Sequence, residues 1–144
     1  MTVLAFMQNM WVRDPERVRA LIERYGESYR RRLITYALFA GCASGRNLKT
    51  TFGEEICRRI TWEEASREVT GHPGARPRAD PVHIAASLKE HEPDIVICFV
   101  RIAADAVAPL WQGKLILAPH PTARQPDTFA KLRYAAAELA ALLT

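Results

Sequence analysis

Short unbroken apolar runs alternate along this chain with segments whose apolar residues recur three and four apart, a pattern that predicts strands and helices in turn. Residues 3–7 (VLAFM) form the first run. Asp14-Pro15 then supplies an N-cap and a proline at the first helical position. Val18, Leu21, Ile22 and Tyr25 follow at helical spacing, and Gly26 provides a stop. Ser28 is placed to cap a second helix with Leu33, Tyr36, Ala37 and Ala40 on its apolar face, leaving Arg30, Arg31 and Arg32 on a solvated one. A short helix is expected over 47–52, closed by Gly53. Residues 56–62 (ICRRITW) predict a second strand, in which Arg58 and Arg59 suit a sheet edge because charge discourages aggregation there. The Gly-, Pro- and Arg-rich stretch 71–79 reads as a loop, and Asp80-Pro81 opens a helix carrying Ile84, Leu88 and His91 on one side. Residues 94–99 (DIVICF) suit a strand covered on both faces. A small-residue helix over 101–108 and a fourth strand over 114–118 (KLILA) follow. Phe129, Leu132, Ala136, Leu139 and Leu143 mark a C-terminal amphipathic helix.

This alternation predicts one α/β domain over 1–144, a three-layer α/β/α arrangement around a four-stranded, mostly parallel sheet. In such sheets ligands bind beyond the carboxyl ends of the strands. The loops to consider therefore begin at Gln8, Glu63, Val100 and Pro119.

Composition narrows the function classes. With 144 residues, 49% hydrophobic and 25% charged, the chain is ordinary for a globular domain. No apolar run approaches the roughly 18 residues of a membrane span, and the first residues read as a buried strand, not a leader. A cytoplasmic protein without membrane association is expected. Cys42, Cys57 and Cys98 are far apart and unpaired in pattern, which argues against a disulfide framework. The four histidines lack metal-site spacing, so neither a metal nor another cofactor is expected. The net charge is +4, carried by 16 arginines against 4 lysines. Arginine favours phosphate through its planar fork, which fits a nucleic-acid partner; a genome rich in GC would give the same bias.

Two loops carry candidate chemistry. Gln8-Asn9-Met10-Trp11 follows the first strand directly; its amides can bind a planar ligand or hold a water, and Trp11 can wall a pocket or enter the core. Pro119-His120-Pro121-Thr122-Ala123-Arg124 follows the fourth. Two prolines fix the backbone around His120, and a rigidly held imidazole can donate a hydrogen bond to a developing anion. Arg124 and the backbone near Thr122 can hold a phosphate.

The order of these features, with PDIVICFVRIAADAV leading into HPTA, resembles the uracil-DNA glycosylase superfamily, most closely from residue 93 to the end. That resemblance implies a parallel sheet of strand order 2-1-3-4. In it, Gln8-Asn9-Met10-Trp11 stands where one form of the family has Gly-Gln-Asp-Pro-Tyr, and His120-Pro121-Thr122 where it has His-Pro-Ser. Gln8 is identical. Asn9 replaces the water-activating aspartate, as in branches reading Gly-Ile-Asn-Pro-Gly, and Trp11 replaces the aromatic guard. The first motif lacks the family's glycine and proline. Glu63 and Glu64 fall where an asparagine usually reads the base; an ionised carboxylate there accepts hydrogen bonds only, while acids opening a surface helix would be equally ordinary.

The resemblance implies hydrolysis of the N-glycosidic bond of uracil or another damaged base in single- or double-stranded DNA, after the base is flipped out. His120 would stabilise the departing base and Asn9 would position water. Gln8, Trp11, Glu63, Glu64 and Thr122 would contact substrate, and Arg46, Arg101 and Arg124 would contact phosphates. Two alternatives stay open: a non-catalytic nucleic-acid-binding module on this fold, and a protein that binds or hydrolyses small nucleosides or nucleotides. The sequence does not define the oligomeric state.

Overall fold

A computed structural model describes all residues, 1–144. Its centre is a sheet of four parallel strands in the order β3-β1-β5-β6, where β1 is Val3–Met7, β3 is Ile60–Glu64, β5 is Ile95–Cys98 and β6 is Lys114–Leu117. Numbering only these four, the order is the expected 2-1-3-4. Every residue of β1 and β5 is buried, as their unbroken apolar runs require of strands covered on both faces. A two-stranded parallel ribbon, β2 (Met10–Trp11) with β4 (Val69–Thr70), continues the β1–β3 pairing beyond a break.

Helices cover both faces. One core places Val3, Ala5, Ile95, Ile97 and Phe99 against α2 (Glu27–Phe39), α3 (Ala43–Phe52) and α7 (Thr128–Leu143). The other places Leu4, Phe6, Val96 and Cys98 against α5 (Pro81–His91) and α6 (Arg101–Val107). Ala103 and Ala104 let α6 lie close to the sheet. A 3₁₀ turn, Ala108–Leu110, follows it. α1 (Pro15–Tyr25) packs partly buried Val18 and Ile22 on the first core. No helix is long and apolar enough to cross a membrane.

Local chemistry sets several boundaries. The Asp14 carboxylate accepts from the Arg17 N–H and opens α1; Asp80 accepts from the N–H groups of Val82 and His83 and opens α5. Asp80→Ala should lower stability by about 1 kcal/mol, measurable as a shifted urea midpoint at unchanged slope. A Cβ on Gly45 would collide with the Leu38 carbonyl, so only glycine permits this approach of α3 to α2.

Three expectations are corrected. Residues 56–59 are not strand: Glu54–Arg59 form α4, with acids in the first turn and arginines in the last, matching the helix dipole. The second strand starts at Ile60 and runs on through Glu64, so Arg58 and Arg59 are helical; β3 is nonetheless a sheet edge. α2 begins at Glu27 with Gly26, not Ser28, at its cap, and its buried face is Arg30, Ile34 and Leu38; Tyr36, Ala37 and Ala40 are exposed. Arg30, expected in solvent, is 2% exposed. Finally, α3 starts at Ala43, four residues before the expected 47.

Candidate functional site

Because all four strands run the same way, their carboxyl ends share one edge of the sheet, where the loops from β3, β1, β5 and β6 follow in that order. The β6 loop is held from two sides. The Asn47 side-chain amide donates to the Pro121 carbonyl at 2.8 Å, and the Thr128 hydroxyl to the Ala123 carbonyl at 2.9 Å. Within it, the Thr122 N–H donates to His120 Nδ1 at 3.1 Å, with Thr122 Oγ1 2.9 Å from the same nitrogen. A backbone N–H can only donate, so Nδ1 is the acceptor and the neutral ring carries its proton on Nε2. Burial pushes the His120 pKa below its ordinary 6.5, and the Arg76 charge adds to the effect. The loop thus presents a neutral imidazole with Nε2–H as its remaining donor. Arg76 belongs to the loop 71–79, which the sequence marked only as a connection.

The β1 loop is equally constrained. Asn9 Nδ2 donates to the Met10 carbonyl at 3.0 Å and to Thr70 Oγ1 at 3.2 Å. Both amide hydrogens are used, leaving Oδ1 to accept from a water or ligand. Trp11 lies on the β2–β4 ribbon and is 53% exposed; it neither enters the core nor fills a cavity. Gln8 Nε2 is buried without a hydrogen-bond partner.

Glu63 and Glu64 end β3, and the structure separates them. Neither opens a surface helix: they are 1% and 6% exposed. Glu63 Oε1 meets Arg30 Nη2 at 2.6 Å, His83 Nε2 at 3.3 Å and its neighbour's backbone N–H at 2.9 Å, while Oε2 accepts from Ser87 Oγ at 3.4 Å. Burial pushes Glu63 up, but the His83 hydrogen bond, the Arg30 charge and the Glu64 N–H together outweigh it and hold the pKa to about 2. Glu63 is committed to this cluster and is withdrawn from the substrate-binding set. Glu64 has no such support. Its Oε2 lacks a partner; burial first and the Glu63 charge second, opposed by Arg30, push its pKa up to about 8.

Strand order makes Gln8, Asn9 and Glu64 neighbours, whereas His120 stands two strand spacings from β1, about 10 Å. None of the five principal cavities is lined by His120, Asn9, Gln8 or Glu64. Two hollows flank this edge instead. One of about 360 Å³ lies between Arg101, Leu117, Pro119, Lys131 and Tyr134; another of about 490 Å³ gathers Arg19, Ser66, Arg67 and Arg78. Arg101 is therefore beside the His120 loop. Arg124 is exposed, and Arg46 is exposed on α3 with its guanidinium on the Gly41 carbonyl.

Sequence reading missed Arg30, His83, Ser87 and Arg76. Only Arg30 had a local signal, Glu27 at i−3, which it meets at 2.9 Å. No family model matches the chain, and neither does any curated protein.

Proposed function

We propose that this chain is a cytoplasmic DNA glycosylase of the uracil-DNA glycosylase type, hydrolysing the N-glycosidic bond of uracil or another damaged base. The observation that carries this reading is the neutral His120. Its Nδ1 is occupied by the Thr122 N–H, which leaves Nε2–H as a donor at the carboxyl edge of a parallel sheet. In the transition state the bond from C1′ to the base nitrogen breaks and its electron pair moves onto the base. His120 Nε2–H donates to the base oxygen where that charge collects. Asn9 Oδ1 accepts from the attacking water and fixes its direction. Asn9 cannot take the water's proton, which passes to solvent, so the roughly 10²- to 10⁴-fold contribution of a general base is missing. A slow enzyme is the consequence.

The exposed Arg101 and Arg124 flank the His120 loop in space or sequence, and Arg19, Arg67 and Arg78 share the second hollow. These cations suit a phosphate backbone. Since no principal cavity is lined by His120, entry of a flipped base requires this edge to open.

The test is incubation with single- and double-stranded oligonucleotides carrying uracil, hypoxanthine or a mismatched base, followed by assay for free base and abasic sites. Slow release of uracil is expected; release from none of these substrates overturns the enzyme reading. The closed edge at His120 favours one alternative, a nucleic-acid-binding module without catalysis. Salt-dependent DNA binding with no abasic product would select it.

A further inference from the structure

β3 is an outer strand of the sheet, and part of its free edge opens into a groove. A hollow of about 510 Å³ lies between Arg32 and Tyr36 of α2 and the consecutive residues Ile60, Thr61 and Trp62. A second, of about 280 Å³, shares Thr35, Ile60 and Trp62 with the first and extends to Phe39, Lys49 and Arg58. The two form one continuous groove. Side chains alternate between the faces of a strand, so a hollow lined by three consecutive residues follows the backbone edge.

The backbone pairing leaves one residue of this edge free. Ala65 N–H donates to the Met7 carbonyl, so with a period of two Glu63 and Thr61 also turn their backbone groups to β1. Ile60, Trp62 and Glu64 turn theirs outward. Ile60 N–H is taken by the Cys57 carbonyl and Glu64 N–H by the Glu63 carboxylate. Trp62 keeps both its N–H and its C=O unpaired. The charge around the groove is one-sided. Arg31, Arg32, Lys49 and Arg58 line it against a single carboxylate, Glu54. Arg31 pairs with Glu90 and Arg58 with Glu54, while the exposed Arg32 and Lys49 have no carboxylate partner. The floor is apolar: Trp62 is 3% exposed, and the Phe39 ring meets it edge-on at 5.4 Å.

We propose that this groove binds an acidic, extended segment of a partner protein, which lies beside β3 as a short added strand. The segment's backbone exchanges hydrogen bonds with Trp62 N–H and C=O, the mode by which peptides join sheet edges. One apolar side chain rests on Phe39 and Trp62, and carboxylates meet Arg32 and Lys49. A nucleic acid matches the charge but not the edge, since its phosphodiester backbone only accepts hydrogen bonds and leaves the Trp62 carbonyl unpaired. The groove begins at the amino end of β3, opposite the carboxyl edge that carries His120, and its use does not depend on glycosylase chemistry.

The test is an NMR titration of the full chain with a short blocked peptide that alternates valine and glutamate. Amides of residues 60–62 and the Trp62 indole should shift, and binding should weaken with added salt. Methylating the peptide's backbone nitrogens removes its donors without touching the protein, and should cost about 10-fold in affinity. Arg32→Glu with Lys49→Glu, both at exposed positions, should also weaken binding about 10-fold. Arg13→Glu with Arg17→Glu, beyond the carboxyl end of β1, should leave it within about twofold. A peptide with lysine in place of glutamate should not bind. No shifts at residues 60–62, equal binding of the lysine or the methylated peptide, or indifference to the Arg32 and Lys49 changes overturns the proposal. So does an oligothymidylate that shifts these amides in the peptide's place, or dimerisation of the free chain through this edge, seen by sedimentation and the same amides.

Discussion

Arg30→Met should destabilise the fold by about 3–5 kcal/mol, the loss expected when one partner of a buried ion pair is removed. Arg30 and Glu63 are 2% and 1% exposed, and their side chains meet at 2.6 Å. Arg30 also holds Glu27 at 2.9 Å, and Glu63 touches His83 and Ser87, so the cluster ties α2, β3 and α5 together. Methionine fills similar space but leaves a carboxylate buried without its main counter-charge. Arg30→Met with Glu63→Gln should recover much of the loss, because the desolvated charge goes with its partner. The same pair sets the acid limit of stability. Glu63 is held to about 2 against an ordinary 4.5. A depressed carboxylate stabilises the fold above 4.5, and that contribution is lost as pH falls from 4.5 through about 2. The difference corresponds to about 3 kcal/mol. Urea denaturation at pH 7 and pH 3 should show the wild-type chain losing stability over this interval and the double variant losing less. A loss below about 1 kcal/mol in Arg30→Met at pH 7 would show the cluster to be energetically marginal.

This cluster also marks where sequence reasoning stopped. The central strands were legible because VLAFM and DIVICF are apolar on both faces, and only a strand covered twice needs that. α1 and α5 were legible because Asp-Pro states both a cap and a first-turn residue. α2 was read in the wrong phase because its buried stripe begins with an arginine. A charged residue at a core position is indistinguishable from surface until its partner, 33 residues away in Glu63, is known. The second strand was displaced because Ile56 and Cys57 look like its start; the Glu54–Arg58 pair at helical spacing was the contrary signal. The β2–β4 ribbon has two residues per strand, too few for any period, and depends on pairing Met10 with Val69. At the candidate site, the bracketing prolines made His120 a candidate from sequence alone. The burial of Glu64 was not legible, since WEE reads as polar whether it ends a buried strand or opens a helix. Arg76 was invisible because its relation to His120 exists only once the chain has folded.

His120→Ala should slow uracil release by about 10²- to 10³-fold, equivalent to roughly 2.7–4 kcal/mol of lost transition-state stabilisation. DNA binding should change little, because the proposed phosphate contacts come from arginines and not from His120. Single-turnover rates measured beside salt-dependent binding separate the two effects. Thr122→Val is the sharper probe of positioning. It removes the hydroxyl next to Nδ1 but keeps the backbone N–H that fixes the tautomer, so a smaller loss is expected, read in the rate and not in affinity. The pH profile carries further information. His120 titrates below its ordinary 6.5 because of burial and Arg76, so the neutral Nε2–H donor persists as pH falls through 6.5. Below its own pKa, Nδ1 gains a proton and can no longer accept from Thr122, which disrupts the loop that aims the ring. The rate should stay level from pH 7 down to 6.5 and fall only in more acid solution, while Arg76→Ala should move that fall toward neutral pH. A rate in His120→Ala within about threefold of wild type, well short of the loss expected for an anion-stabilising donor, would place the chemistry outside this loop.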